Sequence, residues 1–192
     1  MIEKDRVLSI QDNFLAEEEF IALRDVVTGE PFPWFFRPFK VTEGEDREKC
    51  PGQLIHVIYE KGSPRSQTYD SFLSILDQLS ATILYRIKIN LQPRLPEPFY
   101  SGFHSDVVPE ERAAQWSTSD FDEERAALWT TSILYIGSNN GYTELESTGE
   151  RVESVANRLV TFPANIRHRG VSQTDEQIRI VINFNYLKKS IY

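Results

Sequence analysis

Gln177–Tyr186 reads QIRIVINFNY, a run in which apolar and polar side chains alternate with a period of two. That period belongs to a β-strand whose two faces meet different surroundings. Ile178, Ile180, Ile182, Phe184 and Tyr186 fall on one face; Arg179, Val181, Asn183 and Asn185 fall on the other. The strand is therefore expected to lay its greasy face on supporting helices and to line a polar cavity with its arginine-asparagine face.

Upstream of this strand, from residue 83 onward, short β-branched and aromatic runs are broken by turn residues: ILYRIKINL, WTTSILYI, YTELES, RVESV and RLVTF. This spacing predicts a mainly β sandwich or barrel. Asn140-Gly141 predicts a hairpin between TSILYI and YTELES, and Thr148-Gly149 and Pro163-Ala164-Asn165 predict further reversals. Residues 15–28 (LAEEEFIALRDVVT) and 66–82 (SQTYDSFLSILDQLSAT) carry apolar residues at helical spacing, the first with its acids early, where the helix dipole favours them. Two helices are thus expected ahead of the strand-rich half.

A chain of 192 residues suits one domain with a single core, read here as 1–192, with helical support over about 1–82 and a β core over about 83–187. The formal net charge of −8 and a pI near 5.0 provide no broad positive field, so nucleic acid is not the expected partner. A lone cysteine, Cys50, forbids an intrachain disulfide and a multi-cysteine metal site, which fits a reducing cytoplasmic setting. No apolar run reaches the roughly 18 residues of a membrane span, so a soluble protein is expected. Residues 107–127 (VVPEERAAQWSTSDFDEERAA) form a long acidic stretch without β-alternation, read either as a lid carrying Trp116 and Phe121 or as a plain solvated loop.

Three histidines limit any imidazole chemistry to few parts: His56, His104 and His168. His104, in YSGFHSDV, precedes Asp106 by two residues, and in an extended segment such residues point to the same side and can grip one ion. Taken alone, that pair is as well explained by a turn-stabilising role, since His-x-acid arises readily by composition. His168, in NIRHRGVS, adds a third donor far downstream on another expected strand, and Arg179 follows eleven residues later. Two imidazoles and a carboxylate fill one face of an octahedron, suit Fe(II) and leave three positions open. A keto acid can take two of these and dioxygen the last. The far carboxylate of the keto acid then needs a cation, which Arg179 offers as a bidentate fork, its alternative being a surface ion pair. Ser132 can add a hydroxyl beside Arg179, although the run TTSILYI does not reveal which face points inward. His56, in QLIHVIYE, reads as a strand-face histidine and not as a ligand.

These residues resemble the 2-oxoglutarate and Fe(II)-dependent oxygenase superfamily, in particular its short prolyl-hydroxylase-like members of bacterial and phage type. The likeness spans about residues 83–187 and rests on FHSDV, TTSILYIGSNNGYTEL, VANRLVTFPANIRHRG and TDEQIRIVINFNY, with IQDNFLAEEEFIALRDVV similar to the opening of such domains. It implies a double-stranded β-helix, or jelly roll, buttressed by N-terminal helices. It also implies catalytic metal ligands His104, Asp106 and His168, with Arg179 on the co-substrate carboxylate. The implied reaction is oxidative decarboxylation of 2-oxoglutarate to succinate and carbon dioxide coupled to hydroxylation by O2, with ascorbate supportive. Two positions depart from the pattern: Val181 stands where some branches carry serine, and Asn90 is the substitute for a tyrosine that other branches place before the His-x-Asp motif. The expected substrate is a protein or peptide side chain, proline among them, or a small molecule. The competing class is a cupin-like metal or ligand-binding protein, against which Arg179 speaks.

Overall fold

A computed structural model describes residues 8–38, 50–106 and 128–188. Within them the chain runs β1 (Ser9–Gln11), α1 (Glu17–Thr28), β2 (Phe35–Arg37), β3 (Gln53–Glu60), β4 (Ser63–Pro64), a 3-10 turn (Tyr69–Phe72), α2 (Leu73–Gln78), β5 (Ala81–Pro93), β6 (Trp129–Tyr135), β7 (Tyr142–Leu145), β8 (Arg151–Glu153), β9 (Leu159–Pro163), β10 (His168–Val171) and β11 (Ile178–Lys188). The larger sheet has the order β1-β9-β6-β11-β5-β3-β2 with β4 paired to β3, and the smaller sheet has the order β10-β7-β8. The strand pairings are all antiparallel. This is the expected mainly β jelly roll. The proposed lid over 107–127 lies outside the described residues.

The alternation of β11 explains the layering. Its partner β5 alternates in the same way, and the register sets Ile182 opposite Ile89, Phe184 opposite Ile87 and Ile180 opposite Leu91. These residues form one apolar face, and Phe184, Ile182, Ile87 and Ile89 are all 0% exposed. They pack in one cluster with Leu15, Phe20, Leu23 and Val27 around α1 and with Phe72, Ile75, Leu76 and Leu79 around α2. Each such side chain gains roughly 1.5–3 kcal/mol by leaving water, so this face holds the helices to the sheet. A second cluster, including Ile133, Tyr135, Leu145, Val152, Val160, Phe162 and Val181, joins the two sheets.

Three expectations change. The N-terminal support is not helical throughout, because β1 to β4 widen the larger sheet ahead of residue 81. The helix expected over 66–82 shrinks to the 3-10 turn and Leu73–Gln78, since Ala81 already pairs with Lys188. Asn140-Gly141 makes no hairpin: β6 and β7 belong to different sheets, and the pair lies where the chain crosses between them. Thr148-Gly149 does turn a hairpin, between β7 and β8, with Gly149 at φ +67°. That backbone region favours glycine.

Candidate metal and anion site

The segment from Tyr100 to His104 runs antiparallel to β10, bridging Tyr100 to Val171 and His104 to His168. His104 and His168 face each other as a doubly hydrogen-bonded pair, the His104 N–H donating to the His168 carbonyl at 3.0 Å and the reverse bond measuring 2.8 Å. Asp106 follows two residues after His104, and the three side chains offer ligand atoms within 4.8 Å of one another. Among the described residues this is the one such group of three metal-ligating side chains. Asp106 and His168 are buried and His104 is half-buried.

Both rings are oriented by the same local device. Nδ1 of His104 lies 3.2 Å from the Gly102 carbonyl, and Nδ1 of His168 lies 3.1 Å from the Ile166 carbonyl. A carbonyl only accepts, so Nδ1 carries the proton and Nε2 presents its lone pair, as a metal ligand requires. Burial, helped by nearby His168, lowers the His104 pKa to about 4, so its ring is neutral at physiological pH. For Asp106, burial alone would raise the pKa, but His168, Arg86 and His104 together with the Asn185 amide outweigh it and hold the carboxyl well below the ordinary range. The cluster therefore offers two imidazole nitrogens and one carboxylate, which is the donor set that fits ferrous iron.

A closed ring of polar side chains fixes Asp106. Arg86 Nη2 donates to Asp106 Oδ1 at 3.1 Å, while Thr131 Oγ1 and Asn185 Nδ2 each donate to Oδ2 at 3.1 Å. Arg86 Nε also donates to Asn185 Oδ1 at 3.2 Å, and Asn185 Nδ2 to Thr131 Oγ1 at 3.0 Å. Asn185 shares the Arg179 face of β11, as the alternation predicts, and Arg86 and Thr131 are its register partners on β5 and β6. Sequence reasoning placed Asn185 on the polar face and missed Arg86 and Thr131. The signal was the alternation in RIKINL, which puts Arg86, Lys88 and Asn90 on the face opposite Ile87, Ile89 and Leu91.

Arg179 is 7% exposed and donates from Nε to Ser154 Oγ at 2.8 Å. Its guanidinium carbon lies 5.6 Å from the centre of the Tyr135 ring, which is fully buried. Gly141 is glycine for this reason: a Cβ there would come within 2.9 Å of Arg179 Cδ and 2.8 Å of the Val171 carbonyl. A Cβ on Gly170, two residues after His168, would lie 3.7 Å from Arg179 Nη1, so the guanidinium sits over the same side of β10 as the His168 ring. Among the described residues no carboxylate pairs with it. Burial lowers its pKa, yet a guanidinium stays charged, and a buried unpaired charge is costly unless an anion joins it. Tyr135 and Ser154, which frame it, were also missed.

Asn90 lies on this inner face opposite Val181, with a buried Oδ1 that has no hydrogen-bond partner. Ser132 does not stand beside Arg179. Its hydroxyl bonds Thr161 Oγ1 at 2.7 Å and the Tyr186 hydroxyl at 2.9 Å, on the helix-facing side of the sheet. The parity of β6 puts Thr131 on the cavity side instead, because Ser132 registers with Phe184. His56 is not part of the cluster: it registers with Ile89 on the apolar face of β5, its ring centre lies 4.7 Å from that of Phe32 and 5.8 Å from that of Phe35, and burial lowers its pKa.

No family model and no curated relative matches this sequence. Solved structures do. A 2OG-Fe(II) oxygenase family oxidoreductase from Burkholderia pseudomallei superposes with a TM-score of 0.65 at 10% identity, over 95% of this chain and 86% of that one. A Pseudomonas putida prolyl-4-hydroxylase gives 0.58 at 17% identity, over 97% and 95%. A prolyl hydroxylase from Trichoplax adhaerens, solved with a hypoxia inducible factor peptide, gives 0.60 at 14% identity, over 96% and 84%. In fold, the chain is similar to these 2-oxoglutarate-dependent oxygenases and hydroxylases along nearly its whole length.

Proposed function

We propose that this protein is an Fe(II)- and 2-oxoglutarate-dependent dioxygenase that hydroxylates its substrate with release of succinate and carbon dioxide. The observation that carries the reading is Arg179: a buried guanidinium with no acidic partner among the described residues, on the strand face whose Asn185 bonds Asp106 of a His-Asp-His cluster. A metal-binding module has no use for that cation, whereas a dicarboxylic keto acid does. The fold shared with oxygenases supports the same reading.

In this reading His104, Asp106 and His168 hold the iron, and bound iron supplies dioxygen activation driven by oxidation of the keto acid. Arg86, Thr131 and Asn185 keep the Asp106 carboxylate ionised and in one orientation. The Gly102 and Ile166 carbonyls keep both Nε2 atoms turned to the metal. Arg179, with Ser154 and Tyr135, receives the far carboxylate, and Asn90 lines the pocket beside it. The substrate is a protein or peptide side chain, prolyl among the candidates, or a small molecule. Fold does not separate these. Localisation in the cytoplasm accords with the lone cysteine and with the lack, among the described residues, of a helix long and apolar enough to cross a membrane.

Purified protein given Fe(II), ascorbate and 2-oxoglutarate should form succinate, faster in the presence of a suitable peptide or small-molecule acceptor. Continued absence of succinate across a broad acceptor panel, with iron and keto acid bound, would transfer the case to a cupin-like binding protein.

A further inference from the structure

The inner face of β5 presents, in order, Arg86, Lys88, Asn90 and Gln92. Arg86 is tied to Asp106 at the metal end, and Gln92 registers with Arg179 at the anion end. Lys88 lies between them, opposite Asn183 on β11 and Val57 on β3. Among the described residues no carboxylate makes an ion pair with its ammonium. The nearest same-strand neighbour on its face, Arg86, carries like charge and is already engaged. Asn90 and Asn183, the residues adjacent to Lys88 on this face, each hold a buried Oδ1 without a hydrogen-bond partner. Each carboxamide carries an NH2 as well as its oxygen, so a rotation about its last side-chain bond offers N–H groups to a ligand.

Lys88 is half-buried, and an ammonium without an acidic partner on the same strand face as two unpartnered carboxamides is poor design for a packing position, where a β-branched residue would serve. It suits an anion instead. Building on the oxygenase reading, we propose that Lys88 is a second carboxylate anchor, holding the metal-proximal carboxylate of the keto acid whose far carboxylate Arg179 receives. The source of that carboxylate follows from position. Lys88 falls on the stretch between the metal cluster and Arg179 that the keto acid must span, and its first carboxylate is the one adjacent to the metal. Burial lowers the Lys88 pKa to about 8, with Arg86 and Arg37 pressing the same way and Asp106 and Glu60 opposing, so the ammonium is largely charged at neutral pH.

The test compares the full-length wild type with Lys88→Met and Arg179→Met, each loaded with redox-silent Mn(II), by calorimetric titration with 2-oxoglutarate and with pyruvate. Pyruvate keeps the keto and metal-proximal carboxylate groups and lacks the far carboxylate. Lys88→Met should weaken both ligands by about tenfold or more, the scale of one charge-assisted hydrogen bond. Arg179→Met should weaken 2-oxoglutarate and leave pyruvate unchanged. Lys88→Arg should recover part of the loss, and Mn(II) affinity and melting temperature should show that Lys88→Met is folded and metal-competent. Equal affinities for both ligands in wild type and Lys88→Met would overturn the inference, as would weakening of 2-oxoglutarate alone, which would put Lys88 at the wrong end. Failure of the wild type to bind either ligand would instead sink the oxygenase reading, and this inference with it.

Discussion

The two faces of the β5–β11 pair are made from the same strands and the same hydrogen-bond ladder, yet they do opposite work. One face is Ile87, Ile89, Leu91, Ile180, Ile182 and Phe184, closed against α1 and α2. The other is Arg86, Lys88, Asn90, Arg179, Asn183 and Asn185, with unpartnered amide oxygens and a buried guanidinium. The first face gains free energy from burial. The second gives some of it up, holding charges and amides whose partners a ligand would supply. A sheet can tolerate the second face because the first is so completely covered.

Mutations on the two faces should therefore separate function from stability. The largest expected effect is Asp106→Ala: succinate formation should fall to background and metal affinity should collapse, with some loss of stability because Arg86, Thr131 and Asn185 lose their acceptor. Full turnover in this variant would remove the cluster from the site. On the opposite face, Phe184→Ala should cost about 3–5 kcal/mol of unfolding free energy, measured by denaturant titration, because a wholly buried ring leaves a cavity. Metal affinity of the surviving folded fraction should be unaltered.

A subtler break is Arg86→Leu. It removes the bonds to Asp106 and Asn185, and should weaken metal binding by roughly 10- to 100-fold, the usual scale for groups that orient a ligand. Unchanged metal affinity would show that Thr131 and Asn185 suffice. The smallest effect concerns pH. Folded Lys88 has its pKa lowered to about 8 from an ordinary 10.5, so between those values the unfolded chain binds the extra proton. The stability of wild type relative to Lys88→Met should thus rise from about pH 8 to about pH 10.5 and stay level below pH 8. A flat difference across the whole range would mean that the ammonium is as well solvated in the folded protein as in the unfolded one.

Much of this division was legible in the strand period. QIRIVINFNY separates its two faces residue by residue, and the structure keeps that separation: Ile180, Ile182, Phe184 and Tyr186 join the helices, and Asn185 reaches Asp106. His104 and Asp106 were readable as a pair because two residues of extended chain share a side. That His168 would lie directly opposite His104 was not, since pairing between distant segments depends on the whole topology. Lys88 and Arg86 went unweighed because lysine and arginine in a strand ordinarily mark a solvated face. The side of Ser132 was undecidable locally, as β6 is buried on both faces and offers no polar-apolar contrast. Asn140-Gly141 marks a change of direction, and sequence says nothing about which sheet receives the chain. In fact the glycine makes room for the stem of Arg179.

The repeated anchoring of each histidine Nδ1 to the carbonyl two residues before it has a consequence for how the centre fills. Each ring takes its aim from its own stretch of main chain, and those two stretches are laced together by reciprocal amide bonds. An arriving ion would find its nitrogen donors already facing inward, so loading should be fast and should require little rearrangement. Chelation should accordingly empty the centre without unravelling the strands around it.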